Sequence, residues 1–261
     1  MNYYDVALLK KPVWKWYIPA YFVLGGVAGA SSTIGLAYAP LRRRAARLSL
    51  VSLSCGTACL IADLGRPSRF ANMLRVFRPS SPMNMGSWLL AAYGPAAGAS
   101  AVFGTSAIGS MGAGLAGVAG VPLAGYTGVL VAATAVPAWQ DASTSMPVLF
   151  TASGVAGAAS LLALAPCDDE TAAVLRRYGI AGKVGELAAA AAVEREVSDK
   201  TPYESTPLWR LSHLLTTISL VLSLPRRRSR WREVLSALTG AAGSAAIKFA
   251  VNEAGHRSIQ K

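Results

Sequence analysis

The sequence predicts an all-α integral membrane protein, a helical bundle of about eight transmembrane helices, and two observations carry that expectation. Over 261 residues, 53% are hydrophobic and only 15% charged, with a mean hydropathy of +0.40, a balance too apolar for a soluble domain of this length. The basic residues behind the net charge of +12 sit in short clusters between apolar stretches about 20 residues long. Charge so distributed sets membrane topology rather than binding nucleic acid, and no nucleic-acid partner is expected. The whole chain, 1–261, reads as one integral membrane domain, with residues 62–85 as an interfacial connector between the second and third spans.

The chain enters the membrane through Lys10, Lys11, Trp14, Lys15, Trp16, Tyr17 and Tyr21, the pattern of an aromatic belt at a bilayer surface. Span one is expected from Trp16 to Tyr38 and doubles as the insertion signal, being long enough to stay rather than be cleaved. Its Gly25, Gly26, Gly29 and Ala30 lie near one face and admit a close neighbour. Arg42, Arg43, Arg44 and Arg47 separate it from span two, Leu48 to Ala62. There Cys55 and Cys59 share a face, where packing is the plain reading and redox or ligand use the sharper one.

Charge, turn residues and aromatics then meet in IADLGRPSRFANMLRVFRPSSPMNMGSW, residues 61–88. A helix from Pro67 to Phe77 would align Phe70, Met73, Leu74 and Phe77 on one apolar face suited to lying on a membrane. The alternative is a solvated basic loop. Span three follows, Gly86 to Val102, then a Gly/Ser/Ala-rich loop, and span four from Ala116 to Trp139. Tyr126 sits inside span four, where a phenol needs a hydrogen-bond partner, either a neighbouring carbonyl or a ligand.

Span five, Met146 to Ala165, is uniformly small and apolar. Span six, Thr171 to Val197, is divided by Arg176, Arg177, Lys183, Glu186 and Glu194, which places Glu186 at intermediate depth as a proton-relay candidate, a salt-bridge partner or an interfacial group. Spans seven and eight follow from Leu208 to Leu224 and Val234 to Val251. Lys248 and Glu253 join Glu186 as relay candidates, although Lys248 can also snorkel to the surface. No internal repeat is legible.

Three cysteines without a CxxC pair give no iron–sulfur or metal site, and His213 alone inside a span gives no pair of haem ligands. Neither haem nor a cluster is expected in this chain. Eight spans put both termini on one side. The compact arginine clusters 42–47 and 226–232 then mark the cytoplasmic face of a cell's inner membrane, with the termini on the extracytoplasmic side.

Three separated blocks, KKPVWKWYIPAYFVLGGVAGA at 10–30, DLGRPSRF with SPMNMGSW at 63–88, and GYTGVLVAATAVPAW at 125–139, resemble the NrfD-type family of polysulfide reductase membrane subunits. The resemblance implies a subunit without its own cofactor that exchanges electrons and protons with an exchangeable quinone, menaquinone or ubiquinone. Its partners would be an iron–sulfur electron-transfer subunit, a molybdopterin catalytic subunit and membrane lipid. On this reading the chain is not catalytic alone.

The matched motifs imply Tyr126 as a hydrogen-bond donor to quinone and Asp63 with Arg66 beside it. Tyr17 and Trp16 join them at the pocket mouth by position, and Arg66, Arg69, Arg75 and Arg78 form the docking surface. Family members often carry a polar or histidine residue in span one, where this chain has only Ser31, Ser32 and Thr33. The competing functions are a passive anchor without quinone turnover and a small-solute or proton transporter.

Overall fold

The computed structural model describes residues 14–66, 68–224 and 229–259, all helix and connection. Asp5, Lys10, Lys11, Pro67 and residues 226–228 of the second arginine cluster lie outside the described residues. Eight long helices carry the fold: α1 (Tyr17–Ala37), α2 (Arg42–Leu64), α4 (Pro82–Phe103), α5 (Ala107–Ala132), α7 (Ser145–Ala163), α8 (Asp169–Glu196), α10 (Pro207–Ser223) and α11 (Arg230–Ser258). Three short ones, α3 (Ser68–Met73), α6 (Pro137–Gln140) and α9 (Thr201–Glu204), lie in the connections.

Among the described residues, α1, α2, α5, α7 and α11 are long and apolar enough to cross a membrane on their own composition. The remaining three fall short for visible reasons: α10 has only 17 residues, α8 carries charges along its length, and α4 is diluted by serine, glycine and asparagine. Their apolar faces are completed by the bundle. The result is a multi-pass membrane protein.

Tight turns at 39–41, 104–106 and 164–168 join long helices in antiparallel pairs, and all three lie at one end of the bundle, here the turn face, where α10 also ends and α11 begins. The opposite end, the connector face, holds the first turn of α1, the three short helices and the end of α11. Helices α1, α2, α4 and α5 pack around one another, as do α7, α8, α10 and α11, and α1 and α5 join the two groups through α7, with α11 also against α1. Both groups follow one plan: a hairpin, a connection with a short helix, a second hairpin. This repetition is one of topology, with no matching run of residues to announce it in the sequence.

Backbone contact holds the first group together. A Cβ on Gly29 would lie 2.5 Å from the Gly120 carbonyl oxygen, and one on Gly120 would lie 2.4 Å from that of Gly29, so α1 and α5 touch main chain to main chain. Lipid-facing helices lack a hydrophobic force to associate, which makes such close packing a main source of cohesion. The Tyr93 hydroxyl adds a buried network, 2.7 Å from Ser32, 2.6 Å from Ser49 and 2.6 Å from the Ala28 carbonyl.

Three expectations from sequence are corrected. The arginines at 42–47 form the first two turns of α2 instead of a loop before it, because the chain reverses within a single three-residue turn. Likewise α5 begins at Ala107, so most of the expected Gly/Ser/Ala-rich loop is helix, capped by the Ser106 hydroxyl accepting from the Gly109 amide, and it ends at Ala132, short of Trp139. The connector helix stops at Met73. Its Phe70, Met73 and Leu74 are half-buried, while Phe77 is exposed and meets the edge of Trp88 with ring centres 5.9 Å apart.

Candidate functional site

Toward the connector face, α1, α2 and α5 carry the sequence-selected aromatic and acidic groups. Tyr17 starts α1 with its ring 4.2 Å from that of exposed Trp16. Asp63 ends α2 half-buried and within electrostatic reach of Lys15, and Arg66 follows in the exposed loop. Tyr126, half-buried on α5, lays its ring against Gly86 of α4, where a Cβ would fall 2.0 Å from its hydroxyl oxygen. Only glycine admits the phenol there, which gives the glycine of SPMNMGSW a physical role.

A residue not selected from sequence completes the group. Tyr21, one turn after Tyr17, is buried and close enough to Tyr126 for the two phenols to interact electrostatically. Neither hydroxyl has a hydrogen-bond partner among the described residues. The neighbouring carbonyl considered for Tyr126 is absent, leaving two nearby hydroxyls open to a partner from outside the bundle. The spacing of Tyr17 and Tyr21 at i and i+4 was the available signal, and the aromatic belt absorbed it.

Above these phenols, the connector is held by the residues of its own motif. Gly65 takes a left-handed φ of 69° and ends α2, and Arg69 Nη1 donates to the exposed Leu64 carbonyl at 3.1 Å. Asn84 clamps the far end: its Nδ2 donates to Met73 and Val76 carbonyls at 2.6 and 2.8 Å, and its Oδ1 accepts from the Arg78 amide at 2.7 Å. Arg66, Arg69, Arg75 and Arg78 are all exposed on this frame. The four arginines expected to form a docking surface are thus exposed at the same end as the tyrosines.

The relay candidates separate. Glu253 is at the surface near the end of α11, paired with Arg257 at 2.5 Å. Glu186 and Lys248 are deep inside α7, α8, α10 and α11, only 2% and 1% exposed. Glu186 Oε1 accepts from Thr216 Oγ1 at 2.6 Å, while Oε2 has no hydrogen-bond partner. Lys248 does not snorkel: its Nζ donates to the Phe22 carbonyl at 3.1 Å and fills the notch left by Gly26. No ion pair within 4.0 Å joins Glu186 to a cation among the described residues, which sets aside the simple salt bridge.

Lys183, one turn before Glu186 on α8, is a third buried ion that composition alone had left as a divider of span six. Its Nζ donates to Ser223 Oγ at 2.8 Å, Ser236 Oγ at 3.2 Å and the Ser219 carbonyl at 3.4 Å. Three acceptors satisfy an ammonium, so the lysine is built into the core.

No curated protein matches the chain. A family described as polysulfide reductase, of NrfD type, matches residues 3–197, which takes in the tyrosine group, the connector and α8; the chain belongs to the NrfD-type polysulfide reductase family.

Proposed function

We propose that this protein is the quinone-exchanging membrane subunit of a redox complex. It takes electrons from, or returns them to, an iron–sulfur subunit docked on the arginine surface, which is itself coupled to a molybdopterin catalytic subunit. The observation that carries the reading is the pair of phenols without hydrogen-bond partners among the described residues, buried Tyr21 and half-buried Tyr126, toward the same end of the bundle as that surface. A quinone headgroup presents two carbonyl oxygens on a flat apolar ring, and an apolar slot with two hydroxyl donors suits it.

Tyr126 and Tyr21 donate to the quinone oxygens, Asp63 and Arg66 flank the headgroup, and Tyr17 with Trp16 lines the entrance for menaquinone or ubiquinone. This chain supplies binding, orientation and protons; Glu186 and Lys248 are the buried groups able to carry them. Exposed arginines on a framed connector favour an acidic partner face by charge complementarity. The turn face, with Arg42–Arg47, lies toward the cytoplasm of the inner membrane, and the connector face and termini lie on the other side.

The test is quinone-dependent electron transfer in the purified intact complex, wild type against Tyr126→Phe and Tyr21→Phe, with co-purification of the iron–sulfur subunit as the assembly check. Removing one positioned donor in a water-poor site lowers turnover by about 10²-fold. Turnover unchanged in both variants, with assembly retained, overturns the reading in favour of a passive anchor.

A further inference from the structure

A cavity of about 290 Å³ opens at the turn face between α7, α8, α10 and α11, and its lining runs from Cys167, Asp169 and Arg232 down to Ser160, Ser236 and Lys183. At its depth the Ser160 hydroxyl is 3% exposed and has no hydrogen-bond partner. A hydroxyl without a partner beside a space this large, whose apolar walls also carry serines and charged groups, marks a place for water, each molecule of which needs about 30 Å³. The cavity ends at Lys183, about 21 Å along α8 from its first residue at a rise of about 1.5 Å per residue.

Beyond Lys183 the polar groups continue toward the connector face. Glu186 is one turn further along α8, with its unpartnered Oε2, and it interacts electrostatically with both Lys183 and Lys248. Lys248 lies on α11 about 15 Å before that helix ends on the connector face. Its Nζ rests on the carbonyl of Phe22, the residue next to Tyr21. Around this line, α7 presents the Ser153 and Ser160 hydroxyls, α10 presents Thr216, Ser219 and Ser223, and α11 presents Ser236 and, at the mouth, Arg232 and Glu233; α8 itself adds Asp169 and Arg176.

Two ammonium groups and one carboxylate buried without a direct ion pair make full ionisation of all three expensive in a membrane interior. The available response of such a cluster is to exchange a proton. Water on one side and phenols on the other give that proton two places to go.

We propose that the cavity is a proton inlet: protons enter from the turn face and pass by way of Lys183, Glu186 and Lys248 to the tyrosine site on the opposite face. The inference rests on the quinone reading for its destination. When quinone is reduced, two electrons arrive from the partner's reduced iron–sulfur cluster and two protons add to the quinone's carbonyl oxygens, giving quinol. Each carrier releases one proton forward and takes one from behind, so the protein is unchanged. Electrons and protons then reach one site from opposite faces.

Two measurements test it in the intact complex in sealed vesicles. With Cys55, Cys59 and Cys167 replaced by alanine, Ser160→Cys is treated with a charged, membrane-impermeant methanethiosulfonate. Modification from the turn face alone is expected; no modification, or modification from the connector face, overturns the inlet. In the second, Lys183→Ala lowers quinone reduction by about 10²-fold, and methylamine, small enough to occupy the vacated space, restores a part of it. Glu186→Gln, which keeps the Thr216 contact, serves as the second variant and shows the same loss. Unchanged turnover in both variants, or a loss in Lys183→Ala that methylamine does not restore, overturns the inlet. Labelling needs no quinone turnover, so an unlabelled Ser160→Cys overturns the inlet alone, whereas normal turnover in the tyrosine variants overturns the quinone reading alone.

Discussion

In the first group of helices the buried polar centre is Tyr93 with Ser32, Ser49 and the Ala28 carbonyl; in the second it is Lys183 with Ser219, Ser223 and Ser236, followed by Glu186 and Lys248. The helix order is alike, but the first centre is neutral, its hydroxyls bonded to one another and to a carbonyl. The second is charged and borders a cavity of about 290 Å³, against about 10 Å³ beside Ser32 in the first. A neutral network of hydroxyls suffices to fasten helices in lipid. Buried ions do that job at a greater desolvation cost, and their presence in only one of two similar frames points to a use beyond fastening.

The largest effect that would sharpen this contrast comes from Gly29→Leu. Four added carbons have no space against the Gly120 carbonyl, and separating α1 from α5 costs about 3 kcal/mol or prevents assembly. Thermal unfolding and yield of the complex check it. Second comes Glu186→Gln, which is expected to keep the fold and lose about 10²-fold in proton-coupled turnover. Tyr93→Phe inverts that pattern: it costs about 1–2 kcal/mol of stability and leaves turnover unchanged, since Ser32 and Ser49 remain within 3.0 Å of each other. Should Tyr93→Phe stop turnover, or Glu186→Gln leave it intact, the division of labour between the two groups is broken.

Smaller effects are expected at the rims. Asn84→Ala releases three hydrogen bonds of the connector and lowers co-purification of the iron–sulfur subunit while the bundle unfolds at nearly its usual temperature. The least change attends Asp168, which caps α8: its carboxylate accepts from the Thr171 amide and hydroxyl at 2.8 and 2.9 Å, and these bonds hold it below its ordinary value of 3.8. A lowered value means that the charged cap contributes fully above pH 3.8 and is lost as pH falls through the folded-state value. Asp168→Asn therefore removes a small acid-sensitive increment, readable as a flatter stability curve in the acid range.

How much of this was legible beforehand follows from what each residue does locally. Eight apolar stretches gave eight long helices, because burial in lipid and helix formation ask for the same residues. The connector motif was legible as a motif, and Gly65, Gly86 and Asn84 now account for much of it. The helix ends at Arg42 and Ala107 were missed, since a helix continues past the apolar layer wherever a turn is short enough to reverse the chain. Lys183 and Tyr21 were missed for another reason. Each looks local in sequence, a divider in a span and a belt aromatic, and acquires meaning only from residues on other helices, Ser223 and Ser236 for one and Tyr126 for the other.

The bond from Lys248 to the Phe22 carbonyl links residues 226 apart, the last long helix to the first, and Trp139 Nε1 similarly waits for the Val251 carbonyl at 2.7 Å. During synthesis α1 reaches the membrane long before α11 exists. Until then the notch at Gly26 is empty and Trp139 holds an unmet donor, so the nascent bundle stays open along that seam. Insertion of α11 is what closes this seam, by meeting the Phe22 carbonyl and the Trp139 donor together.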